Sequence, residues 1–159
     1  MGTPARNLII ENVATTLAGI TVAGGYKTTV ATVSRVIKNW NDVLSSEFPL
    51  VCFAFPREVI AQRPFGLMEM RLRGHVIGHV NTGTDALRSD LLSNLQDDII
   101  AVLNVDPTRN GNAVSTSIGQ PAGDGETDEG DPDTMDTRGS TGTLVLPIEV
   151  FYERTVNQS

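Results

Sequence analysis

The residues of this sequence that are best suited to chemistry are acidic and lie in one segment. Residues 123–139, GDGETDEGDPDTMDTRG, hold seven carboxylates, four glycines and one arginine. Alternating carboxylates bind calcium in an EF-hand loop, which also needs glycine at its sixth position and glutamate at its twelfth. If the loop begins at Asp124, its sixth position is Glu129 and its twelfth is Met135. The sequence therefore predicts no dedicated metal site and no cofactor, beyond weak collection of calcium by many carboxylates.

Two histidines, His75 and His79, are four residues apart in a segment whose alternation predicts a strand. On a strand, that spacing separates them by about 13 Å, at ~3.3 Å per residue. Two imidazoles so far apart cannot bind the same zinc ion. We expect both histidines to lie on the surface or at an interface.

The sequence lacks the motifs of the common catalytic classes. It has no Gly-x-Ser-x-Gly elbow, no Gly-Lys-Ser/Thr phosphate loop, no HExxH and no dinucleotide fingerprint. Its acidic residues lie among Gly, Pro and Thr, rather than in an apolar cleft that would separate the pKa values of paired carboxylates. We therefore expect the protein not to be an enzyme.

The charge of the chain is concentrated in the same acidic segment. The net charge of the chain is −7. Residues 121–140 hold seven acidic residues and one basic residue, Arg138, so this segment has a net charge of −6. The remainder therefore carries −1 and lacks the basic patch that sequence-independent DNA binding needs. Three interpretations of the segment stay open: a weak metal site, a solvated linker, or a contact with other copies of the protein.

The elements that must position these residues form one α+β domain, spanning residues 1–159, with a flexible acidic loop at about 120–141. Apolar residues at helical spacing indicate helices, and runs of β-branched or alternating residues indicate strands. We expect a mostly antiparallel sheet of four to five strands with two helices packed on one face. The predicted helices span 4–19 and the segment from a Thr82–Asp85 capping box to about 104, the strands span 26–37, 50–55, 67–80, 113–118 and 142–154, and residues 56–66 form an irregular loop.

The strand at 67–80 has the clearest alternation. Its apolar face carries Met68, Met70, Leu72, Val76 and Val80, and its polar face carries Glu69, Arg71, Arg73, His75 and His79. The second helix has an i, i+4 stripe of Leu87, Leu91, Leu95, Ile99 and Leu103 that should pack on the apolar face. The polar face should meet water or a polar partner. Pro147 cannot donate to a ladder, so we expect it at an edge or a bulge.

The single cysteine, Cys52, lies in the apolar run PLVCFAF, and we expect a buried, unreactive thiol. No apolar run approaches the length of a membrane-spanning helix, and the N-terminus lacks the order of a signal peptide. We expect a cytosolic protein without membrane contact.

The segments follow one another in a particular order. An N-terminal helix is followed by GYKTTVATVSR, FPLVCFAF, MEMRLRGHVIGHV, ALRSDLLSNLQDDIIAVLN, a TDEG turn and GTLVLPIEVFYER. Across nearly the whole chain, this layout resembles the tail terminator proteins of long-tailed bacteriophages, small α+β proteins that cap the tail tube as a ring. The acidic insert before the closing strand is longer than this resemblance accounts for.

The resemblance implies a homohexameric ring that stops polymerisation of the tail tube and provides the joint to the head connector. The implied partners are further copies of the protein, the tail tube protein and a head–tail connector or stopper protein, with viral DNA passing through the lumen without specific binding. The implied location is the virion, after assembly in the host cytoplasm. Two alternatives stay open: a head-completion or stopper protein at the portal, and a small cytosolic ligand-binding or metal-binding domain.

Two hypotheses connect the charged residues to a ring. In the first, Arg71 and Arg73 bind carboxylates from residues 124–136 of a neighbour. In the second, the carboxylates repel DNA in the lumen, so that their neutralisation raises retention on DNA at low salt. The residues of the second hypothesis are Asp128, Glu129, Asp131 and Asp133. A plain linker is the third explanation of the segment.

Aromatic residues beside loops are candidate contact anchors, because such side chains often dominate binding energy. Trp40 and Phe65 are the candidates here. They complete the predicted interface. Phe55 also flanks a loop. The alternative for all three side chains is that they cover the ends of the core.

Overall fold

The computed structural model describes residues 4–81, 85–119, 135–138 and 141–155. Within these residues the chain forms two helices and one sheet, which confirms the predicted α+β fold. The elements are α1 Ala5–Ala18, β1 Thr32–Ser34, β2 Leu50–Gln62, β3 Leu67–Asn81, α2 Asp85–Val105, β4 Ser115–Ile118, β5 Met135–Arg138 and β6 Thr141–Thr155.

Five strands lie across the sheet in the order β1-β2-β3-β6-β4, and β5 also pairs with β6. The ladder between β1 and β2 is parallel, and the other four ladders are antiparallel. The long strands β3 and β6 pair from Leu67 with Thr155 to Asn81 with Thr141. This central pair of strands forms much of the surface on which the helices pack.

Both helices pack on one face of the sheet. Ile9, Val13 and Leu17 of α1 are fully buried, because a spacing of four residues keeps them on one side of the helix. In α2, Leu95 is fully buried but Leu87 is 49% exposed, although both belong to the predicted stripe. An i, i+4 line advances by about 40° per step at 3.6 residues per turn, so the stripe winds away from the sheet.

Two glycines let α2 lie close to the sheet. A Cβ added at Gly78 would be 2.7 Å from a methyl group of Leu95, and one added at Gly142 would be 2.8 Å from a methyl group of Leu92. A larger residue at either position would require these leucine side chains to move. These glycines therefore allow close packing of α2 on the sheet.

The predicted strand at 26–37 is wrong over most of its length, since only Thr32–Ser34 forms a strand. The amide of Lys27 donates to Asp98 of α2, and the amide of Val30 donates to a backbone carbonyl at the end of α1. Thr28 and Val30 are buried in this segment, whereas Val36 and Ile37 are exposed. Residues with high strand propensity fit any half-buried extended surface. Most of this segment is such a surface but does not pair with a neighbouring strand.

The predicted loop at 56–66 is also wrong, because β2 continues to Gln62. The register shifts between Ala54 and Arg57, which marks a β-bulge around Pro56. Opposite the bulge, a Cβ at Gly74 would be 1.8 Å from the carbonyl oxygen of Ala54. Only Pro64–Gly66 is irregular, as a short 3-10 turn. The result is a long β2–β3 hairpin.

Pro147, which was predicted at an edge or a bulge, lies in the internal strand β6. However, β5 covers β6 only up to Leu144, and β4 covers it from Ile148. The carbonyl of Pro147 accepts a hydrogen bond from the amide of Gly119 at 2.8 Å. The nitrogen of Pro147, which has no hydrogen to donate, points to the same side of β6, where neither β4 nor β5 pairs with residues 145–147. The proline therefore removes no bond from the ladder between β6 and β3.

Neither helix in the described ranges is long and apolar enough to span a membrane. The Thr82–Asp85 capping box lies outside the residues whose side chains are described.

Candidate functional site

The face of the sheet opposite the helices carries a groove of about 680 Å³. Its polar lining comes from four strands: Arg57 from β2, Arg71, Arg73 and His75 from β3, Ser117 from β4 and Glu149 from β6. We call it the arginine groove.

The sheet register explains why these side chains meet. Arg73 is paired with Arg57 on one side and with Glu149 on the other, and Glu149 is paired with Ser117. Directly paired residues of neighbouring strands project from the same face. Alternation along each strand places the intervening residues on the opposite face, toward the helices. The groove is therefore a direct product of register.

Glu149 holds two arginines in place. Its carboxylate accepts from Nη1 of Arg71 at 2.9 Å and from Nε of Arg73 at 2.7 Å. Its side chain is 18% exposed, against 41% for Arg71 and 52% for Arg73. The guanidinium of Arg71 also lies 4.5 Å from the ring centre of Phe151, in cation–π contact. Both guanidinium groups are thus oriented before any ligand arrives.

The same contacts change the acidity of Glu149. Burial tends to raise the pKa of its carboxyl, but hydrogen bonds from Arg73 and Arg71, with the charges of both, outweigh burial and hold that pKa below its ordinary value. The group therefore stays ionised at neutral pH and keeps both arginines paired.

The groove carries an excess of positive charge. Arg57, Arg71 and Arg73 contribute three positive charges, and Glu149 compensates for one of them. No carboxylate in the described ranges lies within ion-pair distance of Arg57. Guanidinium groups bind carboxylate or phosphate oxygens through paired donors. The arginine groove is chemically suited to bind an anion.

The predicted site residues are only partly brought together. Arg71 and Arg73 lie side by side in the arginine groove, while Phe65 is fully exposed at the tip of the β2–β3 hairpin. The side chain of Trp40 is outside the described part of the chain. So are the four acidic residues of the predicted interface, Asp128, Glu129, Asp131 and Asp133.

The prediction for His79 is wrong, because this side chain is buried, at 2% exposure. Its Nε2–H donates to the carbonyl of Lys38 at 2.8 Å, and its Nδ1 accepts from the hydroxyl of Thr143 at 2.9 Å. Burial lowers the pKa of the imidazole, and the Lys38 carbonyl offsets this in part. Alternation assigns a residue to a face of the sheet, but the connector after β1 covers that face here. His75 is exposed and lines the groove.

Cys52 is buried as predicted, and burial raises the pKa of its thiol. Among the described residues, no group of three or more His, Cys, Asp and Glu side chains is arranged to hold a metal ion.

Sequence reasoning missed Arg57, Ser117, Glu149 and Phe151 as members or supports of the site. The signal for two of them was available, since Glu149 and Phe151 alternate along the closing strand. Arg57 was hidden because it was assigned to a loop. Identifying their partners needed the sheet order.

The comparisons with known proteins add no relative. No protein-family model matches the chain, and no curated protein matches it at a significant level.

Proposed function

We propose that the protein is a structural subunit that assembles with further copies of itself into a closed ring, as the resemblance to phage tail terminator proteins implies. The observation that supports this most is the arginine groove on the sheet face opposite the helices, in a chain whose own residues 123–139 carry the opposite charge. One molecule thus has both halves of an electrostatic contact.

The charge arrangement favours contact between copies. Two different patches on each subunit generate a head-to-tail interface, which closes into a ring when the rotation per subunit allows it. The arginine groove is one patch, and the carboxylates of residues 124–136 in the neighbour are the other. Glu149 orients Arg71 and Arg73 in advance, which reduces the entropy lost when an anion binds.

In this role the ring caps the tail tube, stops its polymerisation and joins it to the head connector or stopper. Viral DNA passes through without specific binding, and the protein is part of the virion. No turnover is involved. A head-completion protein at the portal would use the same kind of ring and would differ in its partners.

Native mass, measured by light scattering after size exclusion over a concentration series, tests the proposal. The wild-type protein should form a discrete closed oligomer, with a hexamer expected. The double variant Arg71→Glu, Arg73→Glu should shift the mass toward the monomer, because it replaces two anion-binding groups with repelling ones.

A matched control is Arg63→Glu, which breaks an exposed ion pair with Glu69 at 3.2 Å on the same hairpin, outside the groove lining. It should leave the oligomer intact. An unchanged mass for the Arg71, Arg73 double variant would remove the groove from the interface, and a wild-type monomer at every concentration would contradict self-assembly.

The size of the arginine groove supports a second candidate, the binding of a small anion, since ligand pockets are commonly about 300–1,000 Å³. Inorganic phosphate or citrate should then raise the melting temperature by mass action. The double variant should abolish that rise. A melting temperature independent of both anions would exclude this candidate.

A further inference from the structure

We propose that neighbouring copies are joined through their sheets, with the outer edge of β4 in one copy pairing antiparallel with residues 57–62 of β2 in the next. This joint rests on the proposed self-assembly and specifies the backbone contact that closes the ring.

The outer edge of β2 is open where it would receive a neighbour. β1 covers β2 only at Leu50–Cys52, so among the described residues only β3 pairs with residues 57–62. The amide of Arg63 donates to the carbonyl of Leu67 at 2.7 Å. In an antiparallel ladder the bonded pairs alternate, so residues 57, 59 and 61 also face β3. The backbone groups of residues 58, 60 and 62 therefore point away from the sheet.

This edge is also apolar and exposed. Val59 is 43% exposed and Ile60 is 54% exposed, one on each face of the strand. An open edge without lysine or an internal bulge is a ready template for another strand. Pro56 and the bulge lie before the open part.

The outer edge of β4 is the second edge without a paired strand in the described ranges, although Thr116 as a whole is only 8% exposed. The amide of Gly119 donates to the carbonyl of Pro147, which places residues 115, 117 and 119 toward β6 by the same alternation. The backbone groups of Thr116 and Ile118 then face outward. Neither has a hydrogen-bond partner on that side within the described ranges, although the hydroxyl of Thr116 donates to Pro107 on the helix-covered face.

The two edges are complementary in direction. Three successive antiparallel ladders separate β2 from β4, so the two edge strands run in opposite directions. A rotation about an axis along the strands keeps that relation between copies and brings β4 beside β2 of the next subunit, antiparallel. Because the two edges differ, the contact is head-to-tail and repeats around a ring.

The two edges also match in side-chain pattern. Ser117 and Val59 lie on the groove face, and Thr116 and Ile60 on the helix-covered face. A register that places Ser117 opposite Val59 also places Thr116 opposite Ile60, so both faces continue across the joint.

The two edges also lie at similar positions along the strand direction. Ser115 pairs with Phe151, Phe151 with Arg71, and Arg71 with Val59, so β4 and the open part of β2 lie at the same level. No large slide between copies is needed. The joint also places Gly119, which lies just before the acidic segment, near Arg57 of the neighbour.

Disulfide cross-linking tests this joint. Ser117 and Val59 would form a non-hydrogen-bonded pair, with Cα atoms about 4.5 Å apart, which is within the range of a disulfide. We expect Ser117→Cys, Val59→Cys in a Cys52→Ala background to yield, on mild oxidation, a ladder of covalent oligomers up to the full ring. Replacing Val59→Cys by Ala61→Cys probes the adjacent register and should cross-link less.

The single variants are the matched controls. Efficient dimers from Val59→Cys alone would indicate a two-fold contact between β2 edges and overturn the proposal. If native mass shows an oligomer but no cysteine pair cross-links, the joint is wrong while the proposed function survives. A monomer that never cross-links contradicts both.

A second variant removes one backbone donor. Ile60→Pro deletes an outward amide that no internal bond uses, and Ile60→Thr keeps it while making a similar loss of apolar surface. The proline variant should weaken association by roughly twofold to tenfold per contact relative to the threonine variant, because one net hydrogen bond is lost, with the fold checked by circular dichroism. Equal oligomer fractions in two folded variants would refute the edge contact.

Discussion

Gly74→Ala should destabilise the protein, because the added Cβ would lie 1.8 Å from the carbonyl oxygen of Ala54. Real Cβ atoms rarely approach within 3.0 Å of another atom, so β2 must retreat by about 1.2 Å at its bulge. Overpacking typically costs about 1–3 kcal/mol, and a rigid backbone contact belongs at the upper end. Alanine restricts the unfolded chain and returns about 0.4–1 kcal/mol.

The expected net loss is therefore about 2–2.6 kcal/mol, which corresponds to a fall in melting temperature of roughly 4–10 °C at this chain length. Urea unfolding followed by circular dichroism measures the loss, at a protein concentration below that of assembly. Gly142→Ala is the matched control, since its Cβ meets the mobile methyl end of Leu92 at 2.8 Å. It should cost about 1 kcal/mol, the lower end of the range for an added methyl group. Equal losses for the two variants would refute the bulge geometry at Gly74.

Two further predictions concern pH. Burial lowers the pKa of His79, so the unfolded chain binds a proton that the folded chain does not, and stability should fall as pH drops below 6.5. His79→Gln should flatten the melting temperature between about pH 7.5 and 5.5, and an unchanged slope in this variant would contradict the burial of a neutral imidazole. The lowered pKa of Glu149 stabilises the folded state above about pH 4.5 and ceases to do so as pH falls through that pKa. The difference in urea midpoint between wild type and Glu149→Gln should therefore shrink from pH 7 to about 3.5, and a constant difference would contradict the pairing with Arg71 and Arg73.

The groove and the two edges of the sheet offer two kinds of contact for assembly. Helices cover one face, while the other face carries the arginine groove and the sheet ends at two unlike edges. The proposed interface between copies uses the groove for charge and the edges for backbone pairing. The two contributions respond differently, since salt screens the charge contact much more than the ladder.

Periodicity explains which predictions succeeded. The spacing of Ile9, Val13 and Leu17 indicates a helix with one buried face, and the alternation along β3 assigns Leu72 and Val76 to the core. Such patterns depend only on the repeat of the local backbone, which a short segment determines by itself. The two helices, the long strand and the closing strand were accessible in this way, as was the burial of Cys52.

Local patterns failed wherever the environment of a segment decided its structure. The strand β2 continues past Pro56 because β3 supplies partners for it, and residues 26–31 lack a ladder because they lie against the helices. His79 is buried because the connector with Lys38 reaches over its face. None of these partners is close in sequence.

The sequence by itself determined that the chain has charged residues of both signs in separate places, an arginine-bearing polar strand face and an acidic segment. It could not determine that Glu149 binds Arg71 and Arg73, or that Arg57 and Ser117 join them, since strand order and register place these residues together. The two unlike open edges are likewise a property of strand order. Composition and periodicity are local quantities, whereas the groove and the edges arise from pairings between residues far apart in the chain, which only the tertiary structure decides.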